Sequence, residues 1–347
     1  MIFPALSDQL SDKLTVIVET MAKALVSSHT PLVRLRRVWN NPNVEVHLKI
    51  ESANPGMSIK DRIAQHILDR AEASGMLCPG GTVCVASSGN TACAFAMMCA
   101  QRGYKCIVIT NEKCSDEKVN AVKVYGAEVI IAPSGVDHDD PQHYQNIETR
   151  LCRENPSYFG VNQYDNPLNP ESYELTLCPE IHQQLGKLPT HVVAAASTGG
   201  TITALGRYFG SKGSKVVMPD PSGSIFKQWK EQKVLGKSSS FFVEGVGKDS
   251  IPGAIDFNVV DEVVTYTDQD AFRMCHLLAA NEGLSLGGSS GLNVHCAVEL
   301  AKTLTEGVIV AICPDSGVKY MSKIYNDAWL AAHGFESMAM SRSHLHI

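Results

Sequence analysis

The sequence predicts an α/β protein of two lobes, each a mainly parallel sheet flanked by helices. Three observations lead there. Short apolar runs rich in β-branched residues alternate with helix-length amphipathic runs along the chain. A glycine closes each of the early helical runs. The length of 347 residues exceeds the usual domain of roughly 100–200 residues, so a second lobe is expected.

The first element is VEVHLKI at 44–50, an alternating strand. It leads into SIKDRIAQHILDRAEASGML, an amphipathic helix that Ser58 precedes, that carries Ile63, Ile67 and Leu68 on one face, and that Gly75 stops. The same order recurs as TVCVAS then GNTACAFAMMCAQRG, KCIVIT then DEKVNAVKVYG, and AEVIIAPSG. Strands of this kind, separated by helices, imply βαβ units and a buried parallel sheet. A polar stretch at 134–145, with Pro141 and several acids, interrupts the pattern. It restarts through THVVAAAS, KVVMPD and GVIVAICPD. Residues 44–150 are therefore expected to form a smaller N-terminal lobe, and residues 1–43 and 151–347 a larger one. The tail MAMSRSHLHI reads as a frayed end, with His344 and His346 as tail residues.

Composition narrows the function. Hydrophobic residues make up 44% and charged residues 19% of the chain, and the formal charge is -6 with no basic block, which argues against nucleic acid as a partner. No apolar run approaches the ~20 residues that span a bilayer. The first residues lack the pattern of a secretory signal, so a cytoplasmic protein is expected. The eleven cysteines include no C-x-x-C pair and several sit in apolar runs, as reduced, buried thiols would. Asp137, His138, Asp139, Asp140 and His143 read as a hydrated loop, and no metal is expected. Met97 and Met98 read as core packing.

The chemistry should lie in the turns that follow the strands, because ligands of open α/β sheets sit at strand carboxyl ends. The turn Ser197-Thr198-Gly199-Gly200-Thr201 stands between VVAAA and ITALGRYF. Its glycines permit close backbone approach, its hydroxyls can donate, and the helix start attracts an anion. A phosphate cradle fits this pattern, as does a tight turn with no ligand. Neither a Walker A ending nor a G-x-G-x-x-G occurs, which argues against a nucleotide and against a nicotinamide oxidoreductase. The turn Ser87-Ser88-Gly89-Asn90-Thr91 also opens a helix. It suits a carboxylate, with the Asn90 amide available to a ring hydroxyl, or else it is a helix cap formed by Ser88 or Asn90. The segment NPGMSIKDR sets Lys60 in the first turn of a helix, where a cation is disfavoured. A Schiff-base amine would explain that placement; a surface lysine is the alternative. The turn Gly287-Gly288-Ser289-Ser290-Gly291 offers a hydroxyl to a pyridine nitrogen or serves as a capped turn.

In this order and spacing, NPGMSIKDR, SSGNT, STGGT and GGSSG resemble the motifs of the cysteine synthase and cystathionine β-synthase family of fold-type II pyridoxal-phosphate enzymes, whose fold is like that of the tryptophan synthase β chain. The likeness runs from about Thr30 to Phe335. It implies that Lys60 binds the cofactor pyridoxal 5'-phosphate, that Asn90 meets the ring hydroxyl, that Ser197, Thr198, Gly199, Gly200 and Thr201 hold the phosphate, and that Ser289 meets the pyridine nitrogen. It further implies that Ser87, Ser88, Gly89, Thr91 and Gln163 contact the substrate. A homodimer acting on small amino acids is implied as well.

The reaction so implied is replacement of the β-substituent of O-phospho- or O-acetyl-L-serine through an aminoacrylate, with Lys60 moving the α-proton. Two subgroups are echoed. VEGVGKDSIP and NQYDNP look like cystathionine β-synthase. PLVRLRR, NPGMSIKDR, Ser197 and YNDAWL resemble the N-(2-amino-2-carboxyethyl)-L-glutamate synthase subgroup, which joins glutamate to O-phosphoserine on the way to 2,3-diaminopropionate. Met57 stands where the family usually has a small residue, and Thr91 stands where that subgroup often departs from the family. An amine nucleophile such as L-glutamate is expected, ahead of sulfide or homocysteine. A reading of another class is a PLP-binding regulatory protein without turnover.

Overall fold

The computed structural model describes residues 29–336 and Met338. The first 28 residues and the tail with His344 and His346 lie outside the described residues. In chain order the strands are β1 (Leu32–Arg34), β2 (Val44–Ile50), β3 (Thr82–Ala86), β4 (Lys105–Asn111), β5 (Glu128–Ala132), β6 (Tyr158–Gly160), β7 (His191–Val193), β8 (Lys215–Pro221), β9 (Glu262–Tyr266) and β10 (Gly307–Cys313). The helices are α1 (Lys60–Ala73), α2 (Asn90–Arg102), α3 (Asp116–Lys123), α4 (Tyr144–Glu154), α5 (Leu168–Leu175), α6 (Leu177–Leu185), α7 (Gly200–Tyr208), α8 (Phe226–Gln232), α9 (Asp268–Leu277), α10 (Gly288–Thr303) and α11 (Asp327–Ala332). None of the described helices is long and apolar enough to cross a membrane.

The strands form two sheets. One has six strands in the order β1-β2-β10-β7-β8-β9 and the other four in the order β5-β4-β3-β6. Every pairing is parallel except that of β1 with β2. Helices cover the sheet faces, so β3 is buried along its whole length and β10 along nearly all of it. The helices form for the reasons their sequences give. Ile63, Ile67, Leu68 and Ala71 put one face of α1 into the core. Gly103, at φ +76°, ends α2 in the left-handed conformation that a side chain disfavours.

Sheet membership departs from the expected lobe of residues 44–150 at both of its ends. β2 pairs with β10 from Val44↔Gly307 to Ile50↔Cys313 and so belongs to the six-stranded sheet. β6, beyond residue 150, pairs with β3 and completes the four-stranded sheet. The alternation of VEVHLKI identifies a strand but not its neighbour. The neighbour is set by packing, since Val44, Val46 and Leu48 share a core cluster with Leu277, Val294 and Ala297 of α9 and α10.

A buried ionic network fixes the start of α1 against the six-stranded sheet. Lys49 of β2 donates from Nζ to Glu180 Oε1 of α6 at 2.5 Å, and Arg62 of α1 reaches Glu180 Oε2 at 3.0 Å and Glu51 Oε2 at 2.7 Å. Thr30 donates to Glu51 at 2.7 Å, and Asn54 Nδ2 donates to Ser58 O at 3.1 Å, two residues before Lys60. Lys49 and Glu51 are wholly buried. Removing one partner of such a network leaves an uncompensated buried charge. Glu180→Ala should destabilise the protein by about 3–5 kcal/mol in urea unfolding; a loss below about 1 kcal/mol would mean that water already screens these charges.

Candidate active site

A cavity of about 590 Å³ lies where the strands of both sheets end. It is lined by the segments that follow β3, β6, β7 and β10, as expected for a parallel α/β arrangement. All four turns singled out in the sequence meet there, and every candidate residue among them lines the cavity: Lys60; Ser87, Ser88, Gly89, Asn90 and Thr91; Gln163; Ser197, Thr198, Gly199, Gly200 and Thr201; and Ser289.

Lys60 occupies the first turn of α1 and is half-buried in the cavity wall. The chain before it is pinned to the end of β10, with Ile59 N donating to Pro314 O at 2.8 Å. Its backbone N–H donates to Ser58 Oγ at 3.3 Å, while its Nζ has no hydrogen bond or ion pair among the described residues. Burial pushes the amine down to about 8, against the opposing pull of the Asp315 carboxylate. This is not a surface lysine. A large fraction of it is a neutral amine near pH 8, the form that attacks a carbonyl.

The turn before α2 does not spend its side chains on capping. The N-cap is Gly89 and no side chain bonds to the helix start. Ser87 Oγ instead accepts from Gly89 N at 3.2 Å. Asn90 Nδ2 donates to Asp315 Oδ2 at 2.7 Å, and its Oδ1 accepts from Lys319 Nζ at 2.7 Å. Thr91 Oγ1 donates to Gln163 Oε1 at 2.8 Å, and Gln163 Nε2 donates to Ala86 O at 2.9 Å. Thr91 and Gln163, both buried, thus hold each other as well as lining the cavity.

The turn before α7 needs its glycines for the packing behind it. Gly199 sits at φ +87°, and a Cβ there would lie 2.2 Å from Ile255 Cβ; one on Gly200 would lie 1.9 Å from Asn169 Oδ1. Thr198 Oγ1 accepts from Asn169 Nδ2 at 3.0 Å, which locks the turn from beneath. The close approach foreseen for a ligand is made by the protein's own core. No side chain caps α7 or α10. Ser197 and Ser289 line the cavity with hydroxyls that have no hydrogen-bond partner among the described residues.

Sequence reasoning missed several lining residues. Asp315 is buried and accepts from both Asn90 and the Tyr320 hydroxyl at 2.7 Å. Burial raises its carboxyl above the ordinary range, with those two donors and Lys319 opposing. Its signal was present, since GVIVAICPD ends in this aspartate at a strand's carboxyl end. Glu244 pairs with Lys118 of α3 and with Lys323 of the turn before α11, the latter at 2.5 Å, and all three line the cavity. No local pattern announces that bridge. Met57 lines the cavity at φ +56°, a conformation in which glycine is easier.

The chain matches the family model described as pyridoxal-phosphate dependent enzyme over residues 25–315. It is 39% identical over 312 residues to the cystathionine beta-synthase of Oryctolagus cuniculus, a match covering 88% of this chain and 56% of that protein. The chain thus spans about half the length of this relative. It is 33% identical over 297 residues to a cysteine synthase of Staphylococcus aureus, covering 84% of this chain and 93% of that one. Among solved structures it is similar to O-ureido-L-serine synthase, with a TM-score of 0.82 and 31% identity, covering 91% of this chain and 100% of the other.

The cavity fits a cofactor bearing an aldehyde, a phosphate and a ring nitrogen. Lys60 supplies an amine with no competing partner, the glycine turn at the start of α7 supplies an anion seat, and Ser289 supplies a neutral hydroxyl. Gly199→Ala forces both a left-handed alanine and a clash with Ile255. It should cost about 1–3 kcal/mol of stability and weaken retention of a phosphate-bearing cofactor, read by equilibrium dialysis. Unchanged retention would remove this turn from the cofactor site.

Proposed function

The chain belongs to the pyridoxal-phosphate dependent enzyme family, with the fold-type II architecture and pyridoxal phosphate as cofactor, and from that premise we propose that it replaces the substituent on Cβ of an O-activated L-serine. The observation that carries the reading is the half-buried Lys60 amine, brought down to about 8 and free of partners among the described residues, facing three hydroxyl-rich turns in one cavity. Pyridoxal phosphate, when bound, supplies the electron sink that acidifies the substrate α-carbon and lets a group depart from Cβ.

The protein's own residues divide the remaining work. Lys60 holds the cofactor, then takes the α-proton, and its amine releases the product. Ser197 to Thr201 and the start of α7 seat the phosphate. Asn90, fixed by Asp315 and Lys319, meets the ring hydroxyl. Ser289 meets the ring nitrogen as a neutral partner, which leaves that nitrogen with little positive charge and favours loss from Cβ over deeper delocalisation. Ser87, Ser88 and Gly89, at the start of α2, bind the substrate carboxylate, and Thr91 and Gln163 complete that wall. The relatives' names fit, since cysteine, cystathionine and O-ureido-L-serine all carry their distinguishing group on the Cβ of a three-carbon amino acid.

For the nucleophile we favour an amine with an anionic side chain, L-glutamate, and O-phosphoserine as its partner, giving a precursor of 2,3-diaminopropionate. The cavity wall supports this. Lys248 lines it with its ammonium 4.7 Å from the centroid of the Tyr164 ring and no acidic partner among the described residues. A side-chain carboxylate would meet that cation. Sulfide or homocysteine is the second reading, supported by the identity to cystathionine beta-synthase and cysteine synthase. A cytoplasmic homodimer completes the proposal on the family resemblance.

The test sets O-phosphoserine, O-acetylserine and serine each against glutamate, sulfide and homocysteine, with products identified by mass. The expected result is a glutamate adduct whose formation in Lys248→Gln shows a KM for glutamate raised about tenfold and an unchanged KM for the activated serine. Product formation only with a thiol overturns the amine; no product with any pair overturns the enzyme.

A further inference from the structure

Glu148 lies outside the cavity yet touches both loops that line its substrate side. It projects from α4 and is buried at 6% exposure. The pairing of β3 with β6 runs through Thr82↔Tyr158, Val83↔Phe159 and Cys84↔Gly160, and its last rung is Val161 N donating to Cys84 O at 3.0 Å. Beyond that rung the two chains part, one entering Ser87–Thr91 and the other turning toward Gln163. Where the next rung would be, Ala86 N donates to Glu148 Oε2 at 2.9 Å and Asn162 N donates to Glu148 Oε1 at 2.8 Å. One carboxylate spans the gap and satisfies two N–H groups, that of the buried Ala86 and that of Asn162 at the more exposed turn.

We propose that Glu148 is a positioning residue for the amino-acid substrate, bridging the backbone of Ala86 and Asn162 so that Ser87, Ser88, Gly89, Thr91 and Gln163 form one carboxylate-binding wall; this rests on the reading of those residues as the substrate loop. Three further observations support it. Asn162 sits at φ +44°, in the left-handed region that asparagine tolerates better than most residues, so the chain turns there directly after the N–H that Glu148 holds. The Ala86 peptide is gripped at both polar atoms, its N–H by Glu148 and its carbonyl by Gln163 Nε2, and Ser87 N is tied to Ile109 O at 2.9 Å. Burial pushes the Glu148 carboxyl up to about 7, against the N–H groups that hold it down, so keeping an anion here costs stability. In its ionised form, present above about 7, the side chain offers two acceptors and no donor to the two N–H groups; glutamine would aim an NH₂ at one of them.

The test uses the holoenzyme of Glu148→Gln and Glu148→Asp. The probes are L-alanine, an amino acid without a group to lose from Cβ, titrated by the change in the cofactor's visible absorbance, and O-acetyl-L-serine or O-phospho-L-serine in turnover. In Glu148→Gln, the L-alanine dissociation constant and the KM for the activated serine should both rise about tenfold, with kcat within about threefold of the parent and cofactor content unchanged. Glu148→Asp, which keeps the two acceptors on a shorter stem, should show the same pattern at smaller amplitude, and it carries the test where the glutamine variant does not fold. Unchanged L-alanine binding and KM in a folded variant overturn the proposal, as does a loss confined to kcat. A parent enzyme whose cofactor spectrum responds to no amino acid overturns the reading of the loop itself.

Discussion

The buried carboxylate of Asp315, at the carboxyl end of β10, joins pieces of chain that no local pattern connects. Its Oδ2 takes hydrogen bonds from Asn90 at the start of α2 and from Tyr320. Its backbone bridges to Ser58 in the segment that carries Lys60, and its carbonyl accepts from Gly287 at the turn that carries Ser289. Gly287 must be glycine, since a Cβ there would lie 2.1 Å from Asp315 Oδ1. Three of the four turns therefore meet at one residue. The same charge sets the balance at Lys60, where burial favours the neutral amine and Asp315 partly restores the ammonium. An amine poised near 8 is the compromise between these two effects.

This arrangement depends on both sheets ending at the same place. The six-stranded sheet brings the ends of β7 and β10, with Ser197 and Asp315, to one side of the cavity. The four-stranded sheet brings the ends of β3 and β6, with Ser87 and Gln163, to the other. In the proposed reading the chemistry is divided between the sheets, the first seating the phosphate and the ring nitrogen and the second the ring hydroxyl, through Asn90, and the substrate carboxylate. One apolar cluster runs between the sheets, with Val83, Val85, Val108 and Phe159 of one and Val192, Val216 and Val310 of the other, and polar links join them at the cavity: Asn90 to Asp315 and Lys319, and Glu244 to Lys118 and Lys323.

Much of this was legible in the sequence because it is local. Helices α1 and α2 and strands β3, β4 and β10 fall where apolar period and glycine stops place them, and the turns that line the cavity are those with glycine and hydroxyl residues after a strand. What was not legible is what depends on partners distant in sequence. The pairing of β2 with β10 spans more than 250 residues, and periodicity says nothing of it. Glu148 looks like any acid on an amphipathic helix until its two N–H donors are seen. The glycines of the turn before α7 were legible, but their reason was not: they fit Ile255 and Asn169, which lie on other segments. Lys60 itself looked electrostatically misplaced at a helix start, and that misfit was the most useful signal of all, since residues that break a local rule tend to be the functional ones.

The central claim is that Lys60, rather than any of the other cavity lysines, carries the cofactor. Lys118, Lys248, Lys319 and Lys323 also line the cavity, but Glu244 pairs with Lys118 and Lys323, Asn90 and Gly56 hold Lys319, and Lys248 lies over the Tyr164 ring. The decisive measurement is borohydride reduction of the pyridoxal-phosphate-loaded protein followed by proteolysis and mass analysis. The account predicts one phosphopyridoxyl label, on the peptide that contains Lys60. A label on any of the other four lysines, or no stable label at all, would contradict it.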